Sequence, residues 1–153
     1  MSSKIILALI VLLVGCTSNA GGVQPSKMVS DFYHLSTSEQ MRKFENHTLD
    51  EQYELYIFGN KVVHPPATYL AEPFARQGAK VVPFLSEKLK AEKDEARIRD
   101  IVLVFAEMAR LNLYDFSQDT ELMSLLNQKI NNMQGMWKDV TLKFLSEIQA
   151  SIH

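Results

Sequence analysis

Apolar residues recur at helical spacing along most of this chain, and no stretch alternates as a half-buried strand does. From Ile98 to Ala109, Ile98, Ile101, Val102, Phe105, Met108 and Ala109 form one face, and Leu103 with Val104 widen it. A helix apolar over so much of its circumference is expected between neighbours in a stack. Leu122, Leu125, Leu126, Ile130 and Met133 align on a later helix. Trp137, Val140, Thr141, Phe144, Leu145 and Ile148 align on the last one, whose other side (Lys138, Asp139, Lys143, Glu147) is polar, as on a terminal covering helix.

Capping signals place the earlier helices. Thr37 or Ser38 caps a short helix to about Asn46. Thr48, with Glu51 three residues on, opens a second, Leu49 to Phe58, that Gly59 and Asn60 are expected to stop. His64-Pro65-Pro66 is a stiff extended connection into a third helix, interrupted at Pro73 and ended at Gly78. A fourth runs from about Ala79 to Ala91 with Pro83 in its first turns. The expected fold is all-α, with about seven helices.

The amino-terminal end follows a different pattern. Met1 to Lys4 carries one positive charge, and Ile5 to Val14 is unbroken apolar sequence. At about 1.5 Å per residue this run reaches only half-way across a bilayer core roughly 30 Å thick. That length suits the central region of a secretory signal. It ends in Leu13-Val14-Gly15-Cys16, which resembles the lipobox of bacterial lipoproteins at all four positions. The resemblance implies cleavage before Cys16, acylation of that residue, and attachment to a membrane through its lipid. Two or three acyl chains, at roughly 0.8 kcal/mol per buried methylene, hold a protein durably where one is marginal. Thr17 rather than Asp follows, which by the same resemblance points to the periplasmic side of an outer membrane in a Gram-negative host. The expected organisation is a signal peptide over 1–15, a flexible polar tether over 16–30, and an α-helical domain over 31–153.

Within that domain, Val81 to Leu89, Asp94 to Arg97 and Ile101 to Ala109 together resemble a HEAT repeat. Pro83, Leu85, Leu89, Asp94 and Arg97 occupy the family's proline, leucine, turn-aspartate and arginine positions. Asp94 suits the second helix as an acceptor for its first amides. An echo 41 residues later sets Leu85, Leu89 and Ile101 against Leu126, Ile130 and Leu142, and Arg97 against Lys138, inside the roughly 40–47-residue period of such repeats. Ser124 and Gly135 replace the proline and the aspartate there. The resemblance implies about two repeats over 79–151 in an α-α superhelix, with an irregular helical bundle as the alternative.

Composition narrows the functional classes. Segment 1–15 carries Lys4 alone, so 15 of the 16 basic residues remain against 18 acidic ones, a formal charge near −3. Such a chain lacks the basic excess of a nucleic-acid binder. Cys16 is the only cysteine, so no disulfide or thiolate site is expected once it carries lipid. His34, His47, His64 and His153 show neither HExxH nor i, i+4 spacing, and no zinc site, phosphate loop or nucleophile elbow is legible. No metal, cofactor or catalytic residue is expected.

Two features are candidates for an interaction patch. Tyr53, Tyr56, His64 and Tyr69 gather around the His64-Pro65-Pro66 connection, where the rings serve either as partner anchors or as core. Arg97, Arg99 and Arg110 follow one another along a single helix, where Asp94, Asp100 and Glu107 offer ordinary ion pairing. The reading favoured by the sequence is a lipid-anchored, non-enzymatic protein-interaction module with a protein partner. A membrane-tethered immunity or inhibitor protein, small and acidic, is the alternative. An enzyme whose site pairs His64 with Glu54 or Glu72 is a third class.

Overall fold

The computed structural model describes residues 25–152, so the lipobox and most of the tether lie outside the described residues. The chain is all-α, with eight α-helices and short 3-10 turns and no strand among the described residues. One helix more than expected forms at the start. Ser26 caps α1 (Lys27–Tyr33), and Val29 and Phe32, three residues apart, are both buried. The expected tether over 16–30 therefore gives way at Lys27, because this short turn has its own cap and its own buried face.

Helix α2 (Thr37–Phe44) is capped by Ser36, one residue earlier than expected, with Glu39 reaching back to the Ser36 amide at 3.2 Å. The capping box of α3 (Leu49–Val62) forms as its sequence foretells. Thr48 Oγ1 accepts from the Glu51 amide at 3.3 Å, and the Glu51 carboxylate accepts from the Thr48 amide at 2.8 Å. Contrary to expectation, α3 does not stop at Gly59 and Asn60, which are both buried inside it. A Cβ on Gly59 would lie 1.9 Å from the Tyr33 hydroxyl and 2.6 Å from the Ala67 Cβ. This glycine lets three segments approach closely; it does not end a helix.

The His64–Pro65 peptide bond is cis. The single helix expected after it is divided into a 3-10 turn (Thr68–Leu70) and α4 (Ala71–Ala75), with Pro73 at the third position of α4, where no amide is needed. Gly78, at φ 61°, takes the left-handed conformation and opens a second 3-10 turn (Gly78–Val81) in place of the expected first turn of the next helix.

The remaining helices are α5 (Val82–Ala91), α6 (Glu95–Arg110), α7 (Thr120–Asn131) and α8 (Lys138–Ala150). Asp94 caps α6 through the amides of Ala96 and Arg97. Helix α6 is the centre of the molecule: it packs against α4 and α8 and also touches α3, α5 and α7. Helix α5 lies against α7. Leu85, Leu89, Leu126 and Ile130 are fully buried, each removal from water contributing about 1.5–3 kcal/mol.

Two polar clamps join the pairs α5/α6 and α7/α8. Lys129 Nζ donates to the Lys90 and Glu92 carbonyls, both at 2.7 Å. The Glu95 carboxylate accepts from the Gln134 and Gly135 amides at 2.6 and 2.8 Å. The 41-residue echo holds for α5 against α7 but slips for α8. There Leu142 is 37% exposed, and the buried positions correspond as Ile98 to Thr141, Val102 to Leu145 and Phe105 to Ile148, a spacing of 43. The turn before α8 is longer than Glu92-Lys93-Asp94 before α6, and this moves the register.

Candidate functional site: a cleft between α3, α6 and α8

A cleft of about 590 Å³ opens where the last turns of α3, the connection through Thr68, the first turns of α6 and the start of α8 converge. Ile57 from α3, Leu103 from α6, and Val140 and Phe144 from α8 give it apolar walls. The polar groups come from the same elements, because helix ends meet here and their side chains point across the gap.

Arg99 and Asp100 form one unit. Arg99 Nε donates to Asp100 Oδ1 at 2.9 Å, and the side chains are only 14% and 4% exposed. The guanidinium also lies 3.9 Å from the centre of the Trp137 ring, covering one face of it. Burial pushes the Asp100 carboxyl above its ordinary range, and Arg99 pulls it back. Beneath them the fully buried Tyr56 hydroxyl donates to the Asp100 carbonyl at 2.9 Å. Burial first, then the Asp100 charge, holds that phenol well above its usual pKa.

Asn60 stands apart from this satisfied network. It is 9% exposed and lines the cleft, yet neither its amide nitrogen nor its amide oxygen has a hydrogen-bond partner. It lies close enough to the Tyr56 hydroxyl to pull that group's pKa down against the effect of burial, without a hydrogen bond of ordinary geometry. Leaving such a group unpaired costs about 1–3 kcal/mol. Arg97 is similar in part: its Nε is buried without a partner, while Nη1 sits 3.6 Å from Glu92. Lys61 is exposed on the rim and has no ion-pair partner among the described residues. Asp94, in contrast, is committed to the first amides of α6.

Of the residues singled out in the sequence, His64, Arg97 and Arg99 share this cleft. The others are dispersed. Tyr56 is core, edge-on to Phe74. Tyr69 is half-buried, and its hydroxyl donates to Gln40. Tyr53 borders a shallower, more open depression of about 770 Å³ with Phe84, Lys88 and Arg97. Burial, then Glu92, pushes its phenol up to about 12, and Lys88 there is already paired with Asp50 at 2.8 Å. Arg110 is exposed and paired with Glu107 at 2.6 Å. Cys16 lies outside the described residues. The expected pairing of Arg99 with Asp100 forms, but buried and not on a wet face.

Neither carboxylate considered for His64 lines the cleft: Glu54 accepts from Ser26 at 3.0 Å, and Glu72 is paired with Arg76 at 2.6 Å. Sequence reasoning passed over Asn60 and Trp137 as site residues. Their only signal was that the chain's single tryptophan begins a helix that also carries Val140 and Phe144. Among the described residues no group of three or more His, Cys, Asp or Glu is placed to hold a metal ion, and no helix is long and apolar enough to cross a membrane. No known protein family matches the chain, and no curated protein or solved structure is similar to it.

Proposed function

We propose that this protein is a lipid-anchored, non-enzymatic interaction module of the bacterial envelope, held by Cys16 and engaging a protein partner at the α3/α6/α8 cleft. The observation that carries the reading is Asn60, a buried amide on the cleft wall with neither hydrogen-bonding atom paired, close to an equally unpaired Arg97 Nε. Folded chains satisfy nearly all such groups, so an unpaired amide in the wall of a cleft supports a binding role there. Two of the three exposed large apolar side chains among the described residues, Val62 and Met136, adjoin the cleft residues Lys61 and Trp137 in sequence, which suits a protein surface as the complement.

We read the carboxy-terminal half as two HEAT-like pairs, α5/α6 and α7/α8. The packing of α5 on α7 and α6 on α8 supports this, as does the clamping of each pair to the next by Glu95 and Lys129. The anchoring part rests on the lipobox resemblance at Leu13-Val14-Gly15-Cys16. Growing cells on an alkyne-bearing fatty acid tests it. The wild-type protein is expected to take up the label and fractionate with membranes, and Cys16→Ser is expected to do neither. Equal labelling and distribution of the two would overturn the anchor.

A further inference from the structure

We infer that the occupant of the cleft is an extended peptide segment of the partner that carries an acidic side chain close to a large apolar one. The inference rests on the interaction-module reading above and gives the partner a chemistry. Asn60 carries a donor and an acceptor side by side, the complement of the N–H and C=O of one residue in an extended chain, which point to the same side. The apolar wall of the buried Ile57 and the half-buried Leu103 and Phe144 accepts a side chain from that segment.

The charges fix the third element. Both carboxylates in the cleft are in use, Asp94 on the amides of Ala96 and Arg97 and Asp100 on Arg99. The Arg97 guanidinium faces Glu92 at 3.6 Å, which leaves Lys61 as the cleft's unpaired cation among the described residues, so the complement is a carboxylate. A sugar or nucleobase fits less well, because Arg99 already occupies one of the two faces of Trp137 on which it would stack. A cleft of about 590 Å³ has room for a short stretch of chain rather than a folded domain.

The test uses the full chain in detergent micelles and a positional-scanning library of N-acetylated, C-amidated hexapeptides, followed by the fluorescence of Trp137, the only tryptophan. The expected result is selection of Asp or Glu within two positions of Leu, Phe or Met, and a fluorescence shift that saturates. Asn60→Leu should weaken the selected hexapeptide at least about tenfold while leaving the thermal midpoint equal or higher, since it removes an unsatisfied buried amide. If Asn60→Leu does not fold, the exposed Lys61→Met decides: a loss of about threefold or more supports the proposal and no change overturns it. The proposal also falls if no hexapeptide shifts the fluorescence at about 1 mM, if binding ignores acidic residues, or if Asn60→Leu folds and binds normally. Photocrosslinkers placed on the cleft, at Thr68, and on the far side of α8, at Gln149, separate the two readings. Partner adducts at either position with no peptide selection in the cleft sink this inference alone, whereas no adduct from either place sinks the interaction module as well.

Discussion

A methyl group at Gly59 would sit 1.9 Å from the Tyr33 hydroxyl, which donates to the Leu55 carbonyl at 2.7 Å and has little freedom to retreat. Gly59→Ala is therefore expected to destabilise the protein by about 1–3 kcal/mol, despite the better helix propensity of alanine, as read by urea denaturation. Thr48→Ala is expected to cost about 1 kcal/mol near neutral pH through loss of the α3 cap. Its pH dependence has a definite sign. Hydrogen bonds from the Thr48 amide and then its hydroxyl hold the Glu51 carboxyl below its ordinary 4.5. Thr48→Ala removes only the hydroxyl's bond, whose contribution is fully present above that value and is lost as pH falls through the lower folded value. The wild-type advantage over Thr48→Ala should thus shrink between neutral and acid pH, and urea midpoints for both proteins at each pH check this. The two residues differ in legibility for a physical reason. Thr48 and Glu51 act on their own backbone, so the spacing T-x-x-E reveals them. Gly59 acts on Tyr33 and Ala67, and nothing local distinguishes a glycine that admits a neighbour from one that ends a helix.

Among the elements, the long helices were legible because burial, caps and periodicity agree in them; α6 carries Asp94 at its start and nine buried positions along its length. The α1 turn was not, since its seven residues hold only Val29 and Phe32 as buried signal beside a polar stretch. The 41-residue echo identified α5 with α7 but assigned Ile101 to Leu142, because Met133 and Trp137 in the longer turn before α8 continue the apolar pattern of the helices on either side and hide the extra residues. That turn is held by Glu95, whose carboxylate takes the Gln134 and Gly135 amides. In Glu95→Ala these two amides are expected to lose hydrogen-exchange protection while the amides of Leu126 and Ile130 keep theirs, as measured by two-dimensional NMR. Unchanged protection at Gln134 and Gly135 would mean that the clamp does not order the turn.

At the scale of the whole molecule, the central place of α6 makes it the last element to open. Its amides from Ile101 to Ala109 are expected to exchange only through global unfolding, and those of the peripheral α1 well before them, a ranking that native-state hydrogen exchange measures directly. The candidate cleft was the least legible feature, since it is assembled from Asn60, His64, Arg97 and Trp137 on separate elements. Asn60 read as a helix stop and Trp137 as one residue of an apolar face, and only convergence gives them a common role. His64 and Arg97 were visible as candidates but not as neighbours. The measurement that bears most directly on the function proposed for this cleft and its anchor is photocrosslinking in living cells from Thr68, on the cleft, in the wild-type protein and in Cys16→Ser. A defined set of protein adducts from Thr68 that is depleted in Cys16→Ser is the predicted result. No adduct from Thr68, or the same adducts with and without Cys16, would contradict it.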